Sequence, residues 1–171
     1  MTFDIGHQAV GFEHIPTSLQ KLVDAGIPIF KLQEAAAMHI PQVTRDKAVD
    51  ALAQFAKTVY LSQTDREEGR SPHARSSISR TPSPRGRTIP GPREWRTHFH
   101  VPVFLDDLGP FRTTRFALEE ALAFHKANPL SRQLEIETYT WDVLPEHLKT
   151  GDIVEYVCRE IRSGRRALRE Q

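Results

Sequence analysis

The sequence predicts an α/β protein in which short strands alternate with amphipathic helices, giving a parallel sheet with flanking helices. Three observations carry this. Apolar residues recur at helical spacing in separate stretches, short β-prone runs bracket those stretches, and one Arg/Pro/Ser-rich tract interrupts the pattern. The clearest unit occupies residues 95–145, where a strand carrying His98 and His100, a helical pattern, and a second strand carrying Glu135 and Glu137 follow in order. Strand, helix, strand is the repeat from which parallel sheets and barrels are assembled. Side chains alternate across a strand, so strict alternation puts His98 and His100 on one face and Glu135 and Glu137 on one face.

From the N-terminus, residues 2–7 read as a short strand ending in a turn, with Asp4 and His7 at its C-terminal end. In parallel α/β folds that end is where ligands bind. Thr17 is a suitable N-cap for a helix through Leu19, Leu22 and Val23, stopped by Gly26. Residues 27–33 form the next β-prone run, with Pro28 at its start, Lys31 and Gln33 on one face, and Phe30 and Leu32 on the other. A loop through His39 and Pro41 leads to a helix capped by Thr44 and buried through Ala48, Ala51, Leu52 and Phe55. Residues 58–62 read as a third strand.

Residues 70–93 differ in character. They hold six Arg and five Pro with no Asp, Glu or Lys, a formal charge of +6, which leaves +1 − 6 = −5 for the rest of the chain. Only Ile78 and Ile89 are large and apolar there, too little to offset the entropy of ordering, so a disordered insertion is expected. It divides the chain into residues 1–69, the insertion 70–93, and residues 94–171. Order is expected to resume at Trp95. Pro102 implies an edge strand or the strand's last turn, and Thr113 or Thr114 caps a helix through Phe116, Leu118, Ala121, Leu122 and Phe124 that stops at Asn128-Pro129. The strand 134–139 follows. A last helix begins near Asp152 with Ile153, Val154, Val157 and Ile161 as its expected buried stripe and arginines toward its C-terminus.

The bulk composition narrows the function classes. With 171 residues, 39% of them hydrophobic, and a net charge of +1, the chain fits one globular domain or a piece of a larger one. Cys158 is the only cysteine, which excludes an intrachain disulfide and suggests a reducing compartment. No apolar run has the length of a membrane span, and the first residues lack the pattern of a signal peptide. A cytoplasmic, soluble protein without membrane contact is therefore expected.

The polar groups at expected strand ends are Asp4, His7, Lys31, Gln33, His98, His100 and Glu137. Imidazoles mixed with carboxylates suit Zn, Mn or Fe better than Ca. Asp4 and His7 also read as a capping or turn pair, and His98 with His100 as a strand-end hydrogen-bonding pair. Lys31 and Gln33 read as polar lining. His14, His39, His73, His125 and His147 read as surface residues.

The Phe3-Asp4-Ile5-Gly6-His7 start resembles the Asp-x-x-His strand of the xylose isomerase-like TIM barrels, a superfamily of metal-dependent sugar isomerases, epimerases and nucleases. The sequence is most similar to its ebo-cluster (EboE-type) metabolite traffic proteins. That similarity runs through Gln8-Ala9-Val10, Ala25-Gly26-Ile27, Lys31-x-Gln33, Tyr60-Leu61-x-Gln63, and above all residues 94–104 and 134–145. The resemblance implies the C-terminal half of a TIM barrel, since a full barrel takes about 250 residues. It implies Asp4, His7, His98 or His100, and Glu137 as ligands of a divalent metal that polarises a sugar carbonyl or hydroxyl. No organic cofactor is expected. The family's early strands and their glutamate are absent, and Ser62 stands where a family histidine is expected, so a truncated or decayed member with weak or no activity alone is implied.

Three functions follow as expectations. One is a metabolite traffic protein or an isomerase/epimerase-related protein for a sugar-like metabolite. Another is a non-catalytic module that completes its barrel by self-association or with a partner chain, covering open sheet edges. The third is nucleic-acid binding through residues 70–93, the weaker reading because aromatic residues for base stacking are missing there.

Overall fold

A computed structural model describes residues 1–41, 94–137, 141, 144, 148–149 and 151–169, together with the backbone of 63–68 and 71–77. The elements in chain order are β1 (Thr2–Asp4), α1 (Ile5–Val10), α2 (Ile15–Asp24), β2 (Lys31–Glu34), β3 (Ala36–Ile40), β4 (Gln63–Glu68), β5 (Ser71–Ser77), β6 (Trp95–Val101), β7 (Arg112–Thr113), α3 (Arg115–Ala127), β8 (Leu134–Ile136) and α4 (Ile153–Arg169). They form a mixed α/β structure with two sheets. One is three-stranded and parallel in the order β1-β2-β8; the other is five-stranded in the order β5-β4-β6-β3-β7, with antiparallel pairing throughout. The parallel arrangement expected from the sequence thus holds for three strands. The strand–helix–strand unit of residues 95–145 keeps its order, but β6 lies in the antiparallel sheet and β8 in the parallel one.

In the parallel sheet, register assigns each residue its face. Phe3, Leu32 and Leu134 stand in one row, and Asp4, Gln33 and Glu135 in the next, so the two rows point to opposite sides. Phe3 and Leu32 are buried with Ile5, Ala9, Ile15 and Leu19 of α1 and α2 and with Leu118, Ala121 and Leu122 of α3. The other side carries the polar row, tied by an ion pair of 2.6 Å between Lys31 Nζ and Glu135 Oε1. Lys31, expected as polar lining, is held in this ion pair. Phe30, expected on the opposite strand face with Leu32, lies outside β2 and is exposed.

Several boundaries move for local reasons. The first strand ends at Asp4 rather than residue 7, because the Asp4 carboxylate caps α1 by accepting the His7 N–H at 3.0 Å. The N-cap of α2 lies three residues before the expected one: it is His14, Pro16 occupies the first turn, and the Thr17 hydroxyl lies 2.7 Å from His14 Nδ1. Its end is as expected. Gly26 adopts φ +65°, its N–H reaches Val23 O at 3.0 Å, and that of Ile27 reaches Leu22 O at 2.9 Å, closing the last turn. The loop expected through His39 is instead β3. Ala36 and Ala37 have little strand preference of their own, and pairing with β6 decides their conformation.

α3 begins after Thr114 and is capped by Asn128, as expected. Thr114 Oγ1 accepts from Ala37 N at 2.9 Å and so ties the helix to β3, while Thr113 Oγ1 accepts from Arg115 N at 3.2 Å. In α4 the expected stripe is overturned: Tyr156, Glu160 and Gly164 are buried, whereas Ile153, Val154 and Ile161 are exposed. The expected disordered tract 70–93 contains strand β5, paired with β4, and its remainder lies outside the described residues. The expected helix after Thr44 and the expected strand 58–62 also lie outside them. Segments on both sides of the tract share both sheets, since β2 pairs with β8 and β3 with β6. Among the described residues no helix is long and apolar enough to cross a membrane.

Candidate functional site

The sequence-predicted residues Asp4, His7, His98, His100 and Glu137 come together where the C-terminal ends of β1 and β8 face β6. Asp4 ends β1, and His7 stands in the following turn of α1, its Nε2 3.6 Å from Asp4 Oδ2. The His7 ring centroid lies 4.4 Å from that of His98 and 6.5 Å from that of His100. His100 Nδ1 approaches Glu137 Oε2 to 3.4 Å. Asp4 and His7 thus form the capping pair and also face the histidines of β6.

A bulge shapes this meeting. Pairing of β3 with β6 steps from Ala37↔His100 to Met38↔Thr97, leaving His98 and Phe99 in the bulge. Bulges re-aim side chains, and here both imidazoles reach the same neighbour, His7. The bulge, rather than strict alternation, sets the histidine pair.

The groups differ in exposure. His7 is largely open to solvent, whereas the His100 side chain is only 4% exposed. Burial pushes the His100 pKa down to about 4; the Asp4 carboxylate acts upward and His7 downward. His100 is therefore neutral at pH 7. Glu137 Oε2 is buried and makes no hydrogen bond with a described residue.

The donor chemistry of this set suits Zn, Mn or Fe in kind. In arrangement it does not form a ready cage: among the described residues, no three His, Cys, Asp or Glu side chains are placed to hold one metal ion. The site as it stands is two imidazole–carboxylate pairs, Asp4–His7 and Glu137–His100, with the His98 ring against that of His7.

Sequence reasoning missed Glu34. It lies on the helix-covered face of β2, is 4% exposed, and has its pKa raised by burial to about 7. A lone acid in the run Leu32-Gln33-Glu34-Ala35-Ala36-Ala37-Met38 was the available signal. Also missed was a cluster beneath the second sheet. His39 Nε2 meets Glu94 Oε1 at 3.0 Å, and Arg96 Nε meets the same oxygen at 2.7 Å. The His39 imidazole is the main cause that lowers the Glu94 pKa; burial opposes it and Arg96 assists it. His39 is thus an interior partner rather than a surface residue. His125 is likewise half-buried, with Nδ1 accepting from Leu130 N at 3.1 Å and its pKa lowered by burial. His14 is exposed as expected, and the side chains of His73 and His147 lie outside the described residues.

No protein-family model, curated protein or solved structure matches the chain.

Proposed function

We propose that this protein is a xylose isomerase-like, metabolite-traffic or isomerase/epimerase-related protein that receives a sugar-like metabolite on the polar face of its parallel sheet and moves protons there. The observation that carries the reading is the convergence of Asp4–His7 and Glu137–His100 at the C-terminal end of that sheet. Interconverting sugars requires one group to take a proton from carbon and another to stabilise charge on the neighbouring oxygen. His100, held neutral by burial, serves as a hydrogen-bond donor to a carbonyl oxygen rather than as a base. His7, open to solvent and oriented by Asp4, is the group placed to accept the proton. Gln33, in the same row as Asp4, and Lys31 supply polar contacts to hydroxyl groups. The three-stranded sheet is read as part of a TIM-barrel-like wall.

The test uses the intact chain with a panel of pentoses and hexoses in deuterium oxide. Exchange of a carbon-bound hydrogen, followed by proton NMR, is expected for at least one sugar and is expected to be lost in His7→Asn and Glu137→Gln. No exchange across the panel, or exchange that survives both substitutions, overturns the reading.

A divalent ion would supply carbonyl polarisation at Asp4, His7, His98 or His100, and Glu137, but no step above depends on one. The buried, unbonded oxygen of Glu137 is the observation that favours it. One zinc retained per chain after dialysis, and lost in a His98→Ala/His100→Ala variant, would establish it. No binding at micromolar zinc removes it.

A second reading, a module completed by another chain, is favoured by the outer edges of β1 and β8, which pair with no further strand among the described residues, and by the exposed Ile153, Val154 and Ile161 on α4. Sedimentation as a monodisperse monomer at high micromolar concentration would count against it.

A further inference from the structure

The side of the molecule formed by α3 and α4 carries a second, unrelated concentration of chemistry. Arg115 from α3 and Arg159, Arg162 and Arg166 from α4 line a cleft of about 640 Å³, together with Ser163 and Phe104. A smaller cleft of about 310 Å³ adjoins it, walled by Arg162, Arg165, Arg166 and Arg169. Arg162 and Arg166 belong to both, so the two clefts make one basic path along α4. At about 1.5 Å of rise per residue, its arginines from 159 to 169 span about 15 Å.

Three described acids of this region have partners of their own, and one of them, Glu119, lines the larger cleft itself. Glu119 and Asp106 both pair with Arg115, at 3.0 and 3.2 Å. Glu160 points inward, where it accepts from Val103 N at 3.4 Å and acts on Tyr156. Arg162, Arg165 and Arg169 form no ion pair with another described residue. The whole chain carries only +1, so this path is a local segregation of charge and not a reflection of a basic protein.

We infer that the α3–α4 cleft is a binding site for a soluble oligophosphate, a compact anion bearing two or more phosphate groups. Guanidinium forks match phosphate oxygens in pairs, and several forks converging on one cleft suit more than one phosphate. Ser163 adds a hydroxyl donor at the cleft wall. A nucleic acid is the poorer occupant because its bases need open aromatic faces. The one aromatic ring of the cleft, Phe104, is covered by the Arg159 guanidinium at 4.1 Å and packed against Tyr156 at 5.5 Å. A lipid surface offers the same phosphates in a plane, whereas the arginines of the larger cleft line a concavity between two helices.

The experiment is calorimetric titration of the full chain with sodium triphosphate at low and at physiological salt. Saturable one-site binding is expected, weakened at least tenfold in Arg162→Ala/Arg166→Ala and unchanged in Arg112→Ala, an exposed arginine on β7. Arg162→Lys/Arg166→Lys keeps the charge but not the fork, and intermediate affinity is expected. Absence of saturable binding overturns the inference, as does an equal loss in Arg112→Ala, which would indicate bulk charge. Tighter binding to oligodeoxythymidine than to triphosphate, or sedimentation with phosphatidylglycerol vesicles that triphosphate does not compete, would replace it with a nucleic-acid or membrane partner. Circular dichroism of each variant confirms that the exposed substitutions leave the fold intact.

Discussion

The carboxyl group of Glu34 lies directly against Gly164, so closely that a β-carbon at position 164 would collide with Oε2 and stand 3.0 Å from the carboxyl carbon. This contact joins the central strand of the parallel sheet to the last helix. It also explains a glycine in a helix interior, where glycine ordinarily costs about 1 kcal/mol relative to alanine.

Gly164→Ala is therefore expected to destabilise the fold, by about 1–3 kcal/mol, the usual cost of overpacking. In a Glu34→Ala background the same substitution should become neutral or stabilising, because the obstruction is gone and the helix gains a better former. Urea unfolding of the four proteins in this cycle measures the coupling. Additive effects would show that the contact does not limit the site.

Glu34 also sets a pH dependence. Its folded pKa of about 7 stands above the ordinary 4.5, so the native state holds the proton more tightly than the unfolded chain. Its contribution is fully favourable below pH 4.5 and is lost as pH rises through 7, a loss of about 3 kcal/mol for a shift of this size. Glu34→Gln should remove that decline. Melting temperatures measured from pH 4.5 to 8 would show the variant gaining on the parent as pH rises.

His100 works in the opposite sense. Its folded pKa, about 4 against an ordinary 6.5, means that the unfolded chain binds the proton first. Stability from this group is present above pH 6.5 and is lost as pH falls through 4, again by about 3 kcal/mol. Between pH 4.5 and 6.5 the slopes of His100 and Glu34 oppose each other, so the parent is expected to vary little there. His100→Asn should unmask the decline from Glu34, and Glu34→Gln the rise from His100. Two variants with slopes of the same sign would refute the assignment. NMR titration of the His100 ring, unprotonated at pH 5.5, is the direct check.

Arg96 holds the underside of the second sheet. It donates to Glu94 and to Ala9 O, at 2.7 and 2.8 Å, and its guanidinium lies 4.2 Å from the centre of the Phe12 ring and 5.1 Å from that of Phe116. Arg96→Ala leaves Glu94 partly buried with His39 as its remaining partner, and a loss of about 3 kcal/mol is expected. Arg96→Lys should recover little, since an ammonium cannot both stack and donate in a fork. A loss below 1 kcal/mol in denaturant unfolding would indicate a solvated pair of the kind typical at surfaces.

The sequence by itself determined the coarse α/β class, the ends of α2 and α3 at Gly26 and Asn128, and the polar residues that belong together. Those features are local: helix stops follow from backbone preference, and Asp4, His7, His98, His100 and Glu137 were legible as polar groups at the ends of apolar runs. What the tertiary structure decided depends on contacts between distant segments. β3 is a strand because β6 pairs with it, although alanines favour no such conformation. The face of α4 that is buried is set by where Glu34 and Val103 lie, so Glu160 and Gly164 turn inward while Ile153, Val154 and Ile161 remain exposed, against what hydrophobic periodicity implied. Burial, the main cause that moves His100 and Glu34 so far in opposite directions, is a property of packing, and no spacing of residues along the chain contains it.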